Sequence, residues 1–471
     1  MKTKFIYLIL LTLLSSTVGA KVQLPEIMSD NMVLQQNTKV KLWGKATPKS
    51  VVTITTSWNN KSYTCQADAS GEWITPVNTP VASYTPYSIT FINKERTTLK
   101  NILIGEVWFC SGQSNMEMPL NGFWNCPVKD GNETIANASQ NKGVRFVTVP
   151  KNSQLTPQKT CPGSWKECNP ENACWFSATA YHFATSLSKA LNIPVGVINS
   201  SWGGSTVEGW MNKELLQNYK DVDLSLAGSN KINPMSQPMI MYNGMLKPLV
   251  NYTIKGFLWY QGESNVGKHQ TYASRLAEMV KLWRSDWGLG DIPFYFVEIA
   301  PYQYGEGDWA AYLREAQFKA QELIPNSGMI CTNDLVEDYE ATNIHPKNKT
   351  LVGKRLCYMA LARTYRLNSV CSNGPAYKSM EIKNGEAYIS FDGAQDGFSR
   401  EKGIVGFEIA GEDKIFHPAT AAANLNKKII IVSNEEVSDP VAVRYCFRNF
   451  LIGNLYNNRE QPVVPFRTDN W

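Results

Sequence analysis

One serine of this chain, Ser114, stands where a nucleophile would be expected. It follows a mostly apolar run at 102–110, which is typical of a strand buried on both faces of a parallel sheet. Open α/β sheets bind their ligands just beyond the carboxyl ends of such strands, and Gly112 and Ser114 lie past this end. The pattern therefore predicts a nucleophilic hydroxyl at a sheet edge.

Two further loops carry groups that suit ester chemistry. Residues 199–206, Asn-Ser-Ser-Trp-Gly-Gly-Ser-Thr, contain paired glycines that let main-chain N–H groups approach an anion. Residues 261–265, Gln-Gly-Glu-Ser-Asn, place a carboxylate between two amides. Each segment follows a predicted strand, so we expect both loops to meet Ser114 at one edge of the sheet.

His345 is the predicted general base. Pro346 suits the first turn of a helix, and the positive end of a helix dipole would hold the pKa of the imidazole below its ordinary value of about 6.5. A neutral imidazole can take the proton of Ser114 and return it to a leaving alcohol. The remaining histidines lie in contexts typical of structural or solvated side chains: His182, His269 and His417.

Several other reaction classes are disfavoured by the motifs. The segment at 112–116 is Gly-Gln-Ser-Asn-Met, which is not the Gly-x-Ser-x-Gly of the ordinary α/β-hydrolase elbow. The sequence has neither the His-Glu-x-x-His of a metalloprotease nor a Cys-x-x-Cys pair. We therefore predict a site that uses no cofactor and no metal.

The pattern along the chain predicts an α/β core between two β-rich regions. Short alternating strands dominate up to about residue 100, as in a β-sandwich. Strands then alternate with helices to about residue 367, which predicts a parallel sheet with helices on both faces, and short strands return beyond residue 373. The predicted units are a signal peptide at 1–20, a β-sandwich-like domain at 21–100, a catalytic α/β domain at 101–370 and a β-rich region at 371–471.

Individual elements can be placed within these units. The predicted strands lie at 51–56, 88–92, 194–200, 294–299, 387–391, 404–409 and 428–432. The predicted helices lie at 178–191, 271–283, 309–323 and 347–365.

The amino terminus indicates export. Lys2 and Lys4 precede an apolar run at 5–14 and a small-residue ending at 18–20, so we expect a signal peptide cleaved near Ala20 and a periplasmic or secreted protein. The ten cysteines are even in number, which is compatible with disulfides in an oxidising compartment. With a net charge of +5 and no basic run or later long apolar segment, neither nucleic-acid binding nor a membrane span is predicted, and nothing indicates an oligomeric state.

Four blocks of sequence resemble the sialate O-acetylesterase family of the SGNH hydrolases. They are Gly-Gln-Ser-Asn-Met-Glu-Met-Pro at 112–119, Asn-Ser-Ser-Trp-Gly-Gly-Ser at 199–205, Trp-Tyr-Gln-Gly-Glu-Ser-Asn at 259–265 and Ile-His-Pro at 344–346. The resemblance implies a flavodoxin-like three-layer α/β/α core that removes acetyl esters from sugar hydroxyls. It also implies Ser114 as nucleophile, His345 as base, and three oxyanion donors: the Ser114 N–H, the Gly204 N–H and the Gln261 side chain.

The chain departs from the family pattern at the acid of the triad. Many SGNH hydrolases carry an aspartate two or three residues before the histidine, where this chain has Asn343 and Thr342. Glu263 would be the third member if the Gln-Gly-Glu loop orients the histidine, as in related acetylesterases. Alternatively, the site runs as a Ser-His dyad held by a main-chain carbonyl, or it recruits an acid from the preceding loop: Asp334, Asp338 or Glu340.

The resemblance favours an O-acetylated sialic acid as substrate. Trp202 and Trp259 are expected sugar contacts, because aromatic faces can pack on a sugar ring, and Asn265 of the same loops is a third expected contact. The candidate cations for the sialate carboxylate are Lys255, Arg275 and Arg284. Two alternatives are an acetylesterase acting on acetylated xylan or another polysaccharide, and a non-catalytic glycan-binding protein on an esterase scaffold.

Overall fold

The computed structural model describes residues 21–471, and the predicted signal peptide lies outside them. The strands of the described chain are β1 (Val33–Gln35), β2 (Lys39–Lys45), β3 (Val51–Thr56), β4 (Lys61–Gln66), β5 (Glu72–Asn78), β6 (Ser83–Asn93), β7 (Glu95–Gly112), β8 (Val144–Thr148), β9 (Lys166–Glu167), β10 (Val195–Ser201), β11 (Gly256–Tyr260), β12 (Phe294–Val297), β13 (Ser327–Ile330), β14 (Ala376–Lys383), β15 (Glu386–Asp392), β16 (Phe407–Ala410), β17 (Phe416–Pro418), β18 (Thr420–Asn424), β19 (Ile429–Ser433), β20 (Ala442–Tyr445) and β21 (Phe466–Arg467). The α-helices are α1 (Ser114–Glu117), α2 (Gly131–Ala136), α3 (Pro170–Ala173), α4 (Ala178–Leu191), α5 (Lys213–Leu216), α6 (His269–Trp287), α7 (Trp309–Leu323) and α8 (Lys349–Met359).

The core is a sheet of strand order β13-β12-β11-β7-β10-β8-β9. Every pair in this order is parallel except β8–β9, which is antiparallel. Consecutive side chains of β7 point to opposite faces, as the two-residue period of a strand requires. Phe109 packs on Trp283 of α6 with ring centroids 5.9 Å apart, whereas Trp108 packs on Phe183 of α4 at 5.2 Å.

Helices cover both faces of this sheet. The core that includes Phe109 and Trp283 also holds Leu313 of α7, and the opposite core includes Trp108, Phe183 and Leu356 of α8. The three-layer α/β/α core predicted from the sequence is therefore confirmed, with α6 and α7 on one side and α4 and α8 on the other.

The carboxyl ends of three central strands are aligned. In the parallel ladders Gly112 of β7 is paired with Ser201 of β10 on one side and with Tyr260 of β11 on the other. The loops that follow these strands therefore leave the sheet at the same level, as predicted. Gly112 has φ +137°, and a Cβ there would lie 2.1 Å from the Tyr260 main-chain oxygen, so this close approach of two strand ends requires glycine.

The amino-terminal β region is continuous with the core through β7. The first part of this long strand pairs antiparallel with β6 and parallel with β1, and its later part pairs with β10 and β11. β3 and β4 extend the same sheet beyond β6, while β2 and β5 form a separate two-stranded sheet. The domain boundary predicted at residue 100 falls inside β7.

The carboxyl-terminal region contains two antiparallel four-stranded sheets, of order β14-β15-β19-β18 and β17-β16-β20-β21. Charged side chains fasten this region to α7. Arg467 forms an ion pair with Glu315 at 3.1 Å, and Arg314 donates to main-chain oxygens of Cys446 and Arg448. The β-rich character predicted for this region is confirmed.

The cysteines differ from expectation. All ten are free thiols within the described chain, and six are buried: Cys110, Cys161, Cys168, Cys331, Cys357 and Cys446. The disulfides predicted from their even number are therefore not supported by the structure. Among residues 21–471, no helix combines the length and apolar character that crossing a bilayer requires.

Candidate active site

Ser114 begins α1 directly after the end of β7. Gln113 fixes this turn in two ways: its main-chain N–H donates to the Tyr260 oxygen at 2.9 Å, and its Oε1 accepts from the N–H groups of Gly262 and Ser264 at 3.2 and 3.3 Å. The serine loop is therefore tied to the 261–265 loop. Ser114 itself is half-buried.

The glycine pair at 203–204 lies against the serine. A Cβ at Gly203 would sit 3.2 Å from the Ser114 Cβ, and the Gly203 N–H donates to Glu117 Oε2 at 2.5 Å. Within the described chain, the N–H groups of Ser114 and Gly204 have no protein acceptor. Two main-chain donors at Ser114 and the glycine pair are therefore free for an anion, which is the arrangement an oxyanion hole needs.

Gln261 lies behind this loop. It is fully buried, its Nε2 donates to the Ser205 oxygen at 3.0 Å and to Asn265 Oδ1 at 2.7 Å, and its Oε1 accepts from the Tyr272 hydroxyl at 2.9 Å. Both amide protons are thus engaged in supporting the 203–206 loop. Direct donation from Gln261 to an oxyanion requires one of these bonds to break.

Two expected sugar contacts are buried in the protein interior. Trp259 is 0% exposed and packs on Trp283 with ring centroids 5.5 Å apart. Asn265 is 1% exposed; its Oδ1 accepts from the Val207 N–H at 3.0 Å, and its Nδ2 donates to Glu208 at 3.1 Å. Neither side chain is positioned to contact a sugar, because Trp259 lies in a strand covered on both faces and both ends of the Asn265 amide bond within the protein. Trp202 is half-buried beside Gly203 and remains accessible.

His345 lies in the turn before α8, not in a helix. The helix begins at Lys349 with Asn348 as its N-cap, so the prediction of a helix from Lys347 with Pro346 in its first turn is wrong. The imidazole packs edge-on against Phe123 at 5.2 Å, and its Nδ1 lies 3.8 Å from the Cys126 thiol. Burial, with the charge of Lys349 second, lowers the pKa of His345 to about 4. The predicted direction is confirmed, but its cause is burial and a lysine.

Asn115 connects the serine loop with the histidine loop. This fully buried side chain donates from Nδ2 to Glu263 Oε1 at 2.5 Å and to the Ile344 main-chain oxygen at 3.0 Å. Its Oδ1 accepts from the ammonium group of Lys349 at 2.6 Å. Because Asn115 follows Ser114 and Ile344 precedes His345, this network links the loop of Ser114 to the loop of His345.

The Ser114 hydroxyl and the His345 ring share no hydrogen bond in the described chain. In free enzymes such bonds are often long and tighten when substrate binds.

Glu263 bonds to Asn115, and the described residues give it no hydrogen bond to His345. Its Oε2 is buried without a partner, and burial raises the pKa of this carboxyl. The other candidate acids are engaged elsewhere or exposed: Asp334 forms a bidentate pair with Arg355 at 2.7 and 2.6 Å, Glu340 accepts from the Lys347 N–H at 2.9 Å, and Asp338 is exposed. Asn343, two residues before the histidine, accepts the His345 N–H through its Oδ1 at 3.0 Å.

The candidate cations from the sequence do not face Ser114. Arg275 pairs with Glu208 and Asp221, and Arg284 donates to main-chain oxygens of Ile292 and Pro325. Lys255 precedes β11 and therefore lies at the opposite edge of the sheet. Within the described chain no group of three or more His, Cys, Asp or Glu side chains could hold a metal ion.

Sequence reasoning missed three residues of the site: Asn115, Lys349 and Lys151. Lys151 forms an ion pair with Glu117 at 2.7 Å, close to Gly203. A signal existed for Lys349, which lies in the first turn of a helix, where a cation opposes the dipole. Lys151 follows β8, a strand that the sequence pattern did not predict, so its position at the ligand edge had no sequence signal.

Comparison with known proteins gives concordant matches. The sequence profile of the family described as carbohydrate esterase, sialic acid-specific acetylesterase, matches residues 104–362. A sialate O-acetylesterase from Mus musculus is 26% identical over 452 residues, covering 82% of each protein, and one from Homo sapiens is 27% identical over 392 residues, covering 75% of this chain and 73% of that protein. The crystal structure of a carbohydrate acetylesterase from Xanthomonas citri has a TM-score of 0.84 and 33% identity, covering 96% of this chain and 100% of that chain.

The profile covers more than half of the chain and contains Ser114, the glycine pair, Glu263 and His345. The α/β/α core is of the SGNH type. The chain therefore belongs to the carbohydrate esterase family of sialic acid-specific acetylesterases and is a carbohydrate O-acetylesterase.

Proposed function

We propose that this enzyme hydrolyses O-acetyl esters of sialic acids, with Ser114 as nucleophile and His345 as general base. The observation that carries this proposal is the meeting of three loops at aligned strand ends, where free N–H groups flank Ser114 and Asn115 ties the serine loop to the histidine loop. The name of the matching family and of the mammalian relatives supports sialic acid as the sugar.

The reaction takes place in two steps. His345 takes the proton of the Ser114 hydroxyl as its Oγ attacks the acetyl carbonyl, and a tetrahedral intermediate forms. The intermediate collapses when His345 gives this proton to the leaving sugar oxygen, which leaves an acetyl group on Ser114. Water then attacks the acetyl-enzyme with His345 again as base, and acetate leaves as Ser114 regains its proton.

The low pKa of His345 fits a base that must be neutral before each attack. The N–H groups of Ser114 and Gly204 would stabilise the oxyanion, and one such donor contributes about 10²–10³ in turnover in serine hydrolases. Gln261 holds the 203–206 loop in place from behind, through Ser205.

We assign Glu263 as the third member of the site. It acts on the histidine loop through Asn115, whose amide spans the Glu263 carboxylate and the main-chain oxygen next to His345. In this arrangement the acid supports the position of the base, and the Glu263 charge balances that of buried Lys349.

The test compares acetate release from O-acetylated sialic acid and from acetylated xylan, using wild type and Ser114→Ala at neutral pH. We expect Ser114-dependent release that is faster from the sialate. Faster release from xylan would keep the mechanism and replace the substrate. No release from either, with glycan binding unchanged by Ser114→Ala, would indicate a binding protein.

We also propose that the protein is exported and cleaved near Ala20, since the first twenty residues have the charge and apolar pattern of a signal peptide. Sequencing the amino terminus of the protein recovered outside the cytoplasm tests this: a start near Lys21 supports export with cleavage, and an uncleaved cytoplasmic chain contradicts it.

A further inference from the structure

A cavity of about 200 Å³ lies beside the catalytic loops, and none of the roles assigned above uses it. Three of its walls belong to the site. Glu117 lies on α1 three residues after Ser114, Ser201 ends β10 just before the glycine pair, and Phe123 packs on His345. Its volume is below the roughly 300–1,000 Å³ of sites for drug-sized ligands, which suits a single sugar ring better than a polysaccharide chain.

The cavity has two hydrogen-bond donors with capacity to spare. The Lys151 ammonium has three N–H groups and one carboxylate partner, Glu117 at 2.7 Å. Asn199 is 2% exposed and accepts from the Ser201 hydroxyl through Oδ1 at 2.9 Å, while its Nδ2 has no acceptor among the described residues. Both residues line the same cavity and bring two side-chain donors to it.

The acidic residue of the cavity is already committed. Glu117 Oε1 receives Lys151 and Oε2 receives the Gly203 N–H at 2.5 Å. Its charge is therefore compensated, and a ligand that complements the remaining donors must bring acceptor oxygens. A carboxylate has two acceptor oxygens, and its negative charge is stabilised by a nearby ammonium group.

Trp175 supplies an apolar wall. It lines the cavity, yet its side chain is 70% exposed. The main chain on both sides is held in place, since the Asn121 N–H donates to the Cys174 oxygen and the Leu120 N–H donates to the Phe176 oxygen, both at 3.0 Å. An exposed indole on a fixed backbone is a ready surface for the apolar face of a sugar ring.

We propose that this cavity is the subsite for an acidic sugar, in which Lys151 and Asn199 bind the sugar carboxylate and Trp175 packs against the ring. The inference rests on the proposed function and adds to it the residues that select an acidic substrate. A sugar held here has its ring next to the 203–204 loop, so its acetyl ester can reach Ser114.

The experiment measures acetate release from O-acetylated sialic acid and from the carboxyl methyl ester of the same sugar. The methyl ester keeps the ring and the acetyl group but removes the negative charge. We expect wild type to prefer the acid and Lys151→Met to lower the acid-to-ester ratio of kcat/KM by about 10- to 100-fold, the scale of one hydrogen bond to a charged group. The ratio is insensitive to any general effect of the variant on Glu117 and Gly203, because such an effect lowers both rates.

Matched controls separate selectivity from stability. Lys189→Met removes an exposed lysine of α4 and should leave the ratio at its wild-type value. Trp175→Ala should raise KM about equally for both substrates, whereas Trp124→Ala, which removes an exposed tryptophan outside the cavity, should not.

Two results would overturn the subsite while leaving the esterase intact: Ser114-dependent release without preference for the acid, or a Lys151→Met ratio equal to wild type. Unchanged KM values in Trp175→Ala would overturn the ring-packing assignment. Absence of Ser114-dependent release from every acetylated sugar is a different outcome, since it contradicts the proposed function itself.

Discussion

Asn115, a fully buried amide, donates to the buried Glu263 carboxylate at 2.5 Å. The same amide accepts from Lys349, so a buried acid and a buried base share one neutral side chain. Burial raises the pKa of Glu263 and lowers the pKa of Lys349 to about 7. Such a network is stable only while its members are present together, because removing one leaves an unpaired buried group.

Asn115→Ala should therefore reduce catalysis more than an ordinary cavity mutation does. Glu263 and Ile344 lose their shared donor, and the loop that carries His345 loses its tie to the serine loop. We expect kcat/KM to fall about 100-fold, since small displacements of reacting groups have effects of this size. Steady-state kinetics on an acetylated sugar and thermal unfolding measure the two effects separately.

Asn333→Ala is the matched control, because Asn333 is equally buried but its Nδ2 lies 3.5 Å from the Val463 oxygen, away from the site. It should lower Tm with little change in kcat/KM. If Asn115→Ala behaves in the same way, the network has a structural role only.

Glu263→Gln tests the third member of the site. The amide keeps an acceptor for Asn115 but removes the charge that balances Lys349. Loss of a triad acid can cost about 10⁴ in turnover while geometry survives, so we expect most activity to disappear. Glu298→Gln, a change in another buried acid that accepts from the Thr332 N–H, should leave kcat near wild type. Activity of Glu263→Gln within a few-fold of wild type would reject the assignment and favour a Ser-His dyad.

The sequence predicted best where local pattern and tertiary structure agree. Helix α7 has the predicted bounds because its apolar residues repeat with helical spacing, and the strands at 194–200 and 294–299 were placed to within two residues. The edge at which the three loops meet followed from strand order alone. Helix α8 begins later than predicted. Its N-cap is Asn348, whose Oδ1 accepts from the Leu351 N–H at 3.2 Å, so Pro346 lies before the helix and not in its first turn.

The direction in which side chains point could not be predicted from the sequence pattern. The sequence predicts Trp259 as a sugar contact because it adjoins a functional loop, but a central parallel strand is buried on both faces and its tryptophan belongs to the core. The accessible tryptophan near the site, Trp175, and the cation, Lys151, come from segments outside the four family-like blocks. Their proximity depends on the fold of loops that have no periodic signal.

The pH profile should report His345. A base acts only when neutral, and burial with the charge of Lys349 lowers the pKa of His345 to about 4. Activity should therefore be constant from neutral pH down to about 5 and fall only as pH drops through this pKa. A profile of kcat/KM on an uncharged acetyl ester measures this. An acid limb near 6.5, the ordinary value of free imidazole, would show that the ring is solvated in the working enzyme.

Gly112→Ala should destabilise the fold at the edge that holds the site. The added Cβ would meet the Tyr260 main-chain oxygen at 2.1 Å, at a residue with φ +137°. We expect the free energy of unfolding to fall by at least about 3 kcal/mol, since backbone strain and steric overlap act together. Gly267→Ala is the control: φ there is +91°, but the added Cβ meets nothing within 4 Å, so only the strain of about 1 kcal/mol applies. Urea unfolding measures the free energy of unfolding of both variants. If Gly112→Ala and Gly267→Ala lower it equally, the steric overlap at Gly112 is relieved by local movement.

Lys349→Met separates the electrostatic role of this lysine from its packing. With a pKa of about 7, Lys349 is charged throughout the acid limb, where its charge disfavours protonation of His345. Removing the charge should raise the pKa of His345 and move the acid limb of kcat/KM upward by about 1 pH unit, the scale of one nearby partly buried charge. Lys347→Met removes a lysine two residues from His345 that pairs with Glu337 at 2.7 Å, and it should leave the limb in place. A Lys349→Met profile that overlays wild type, or an equal shift in Lys347→Met, would mean that burial alone sets the pKa of His345.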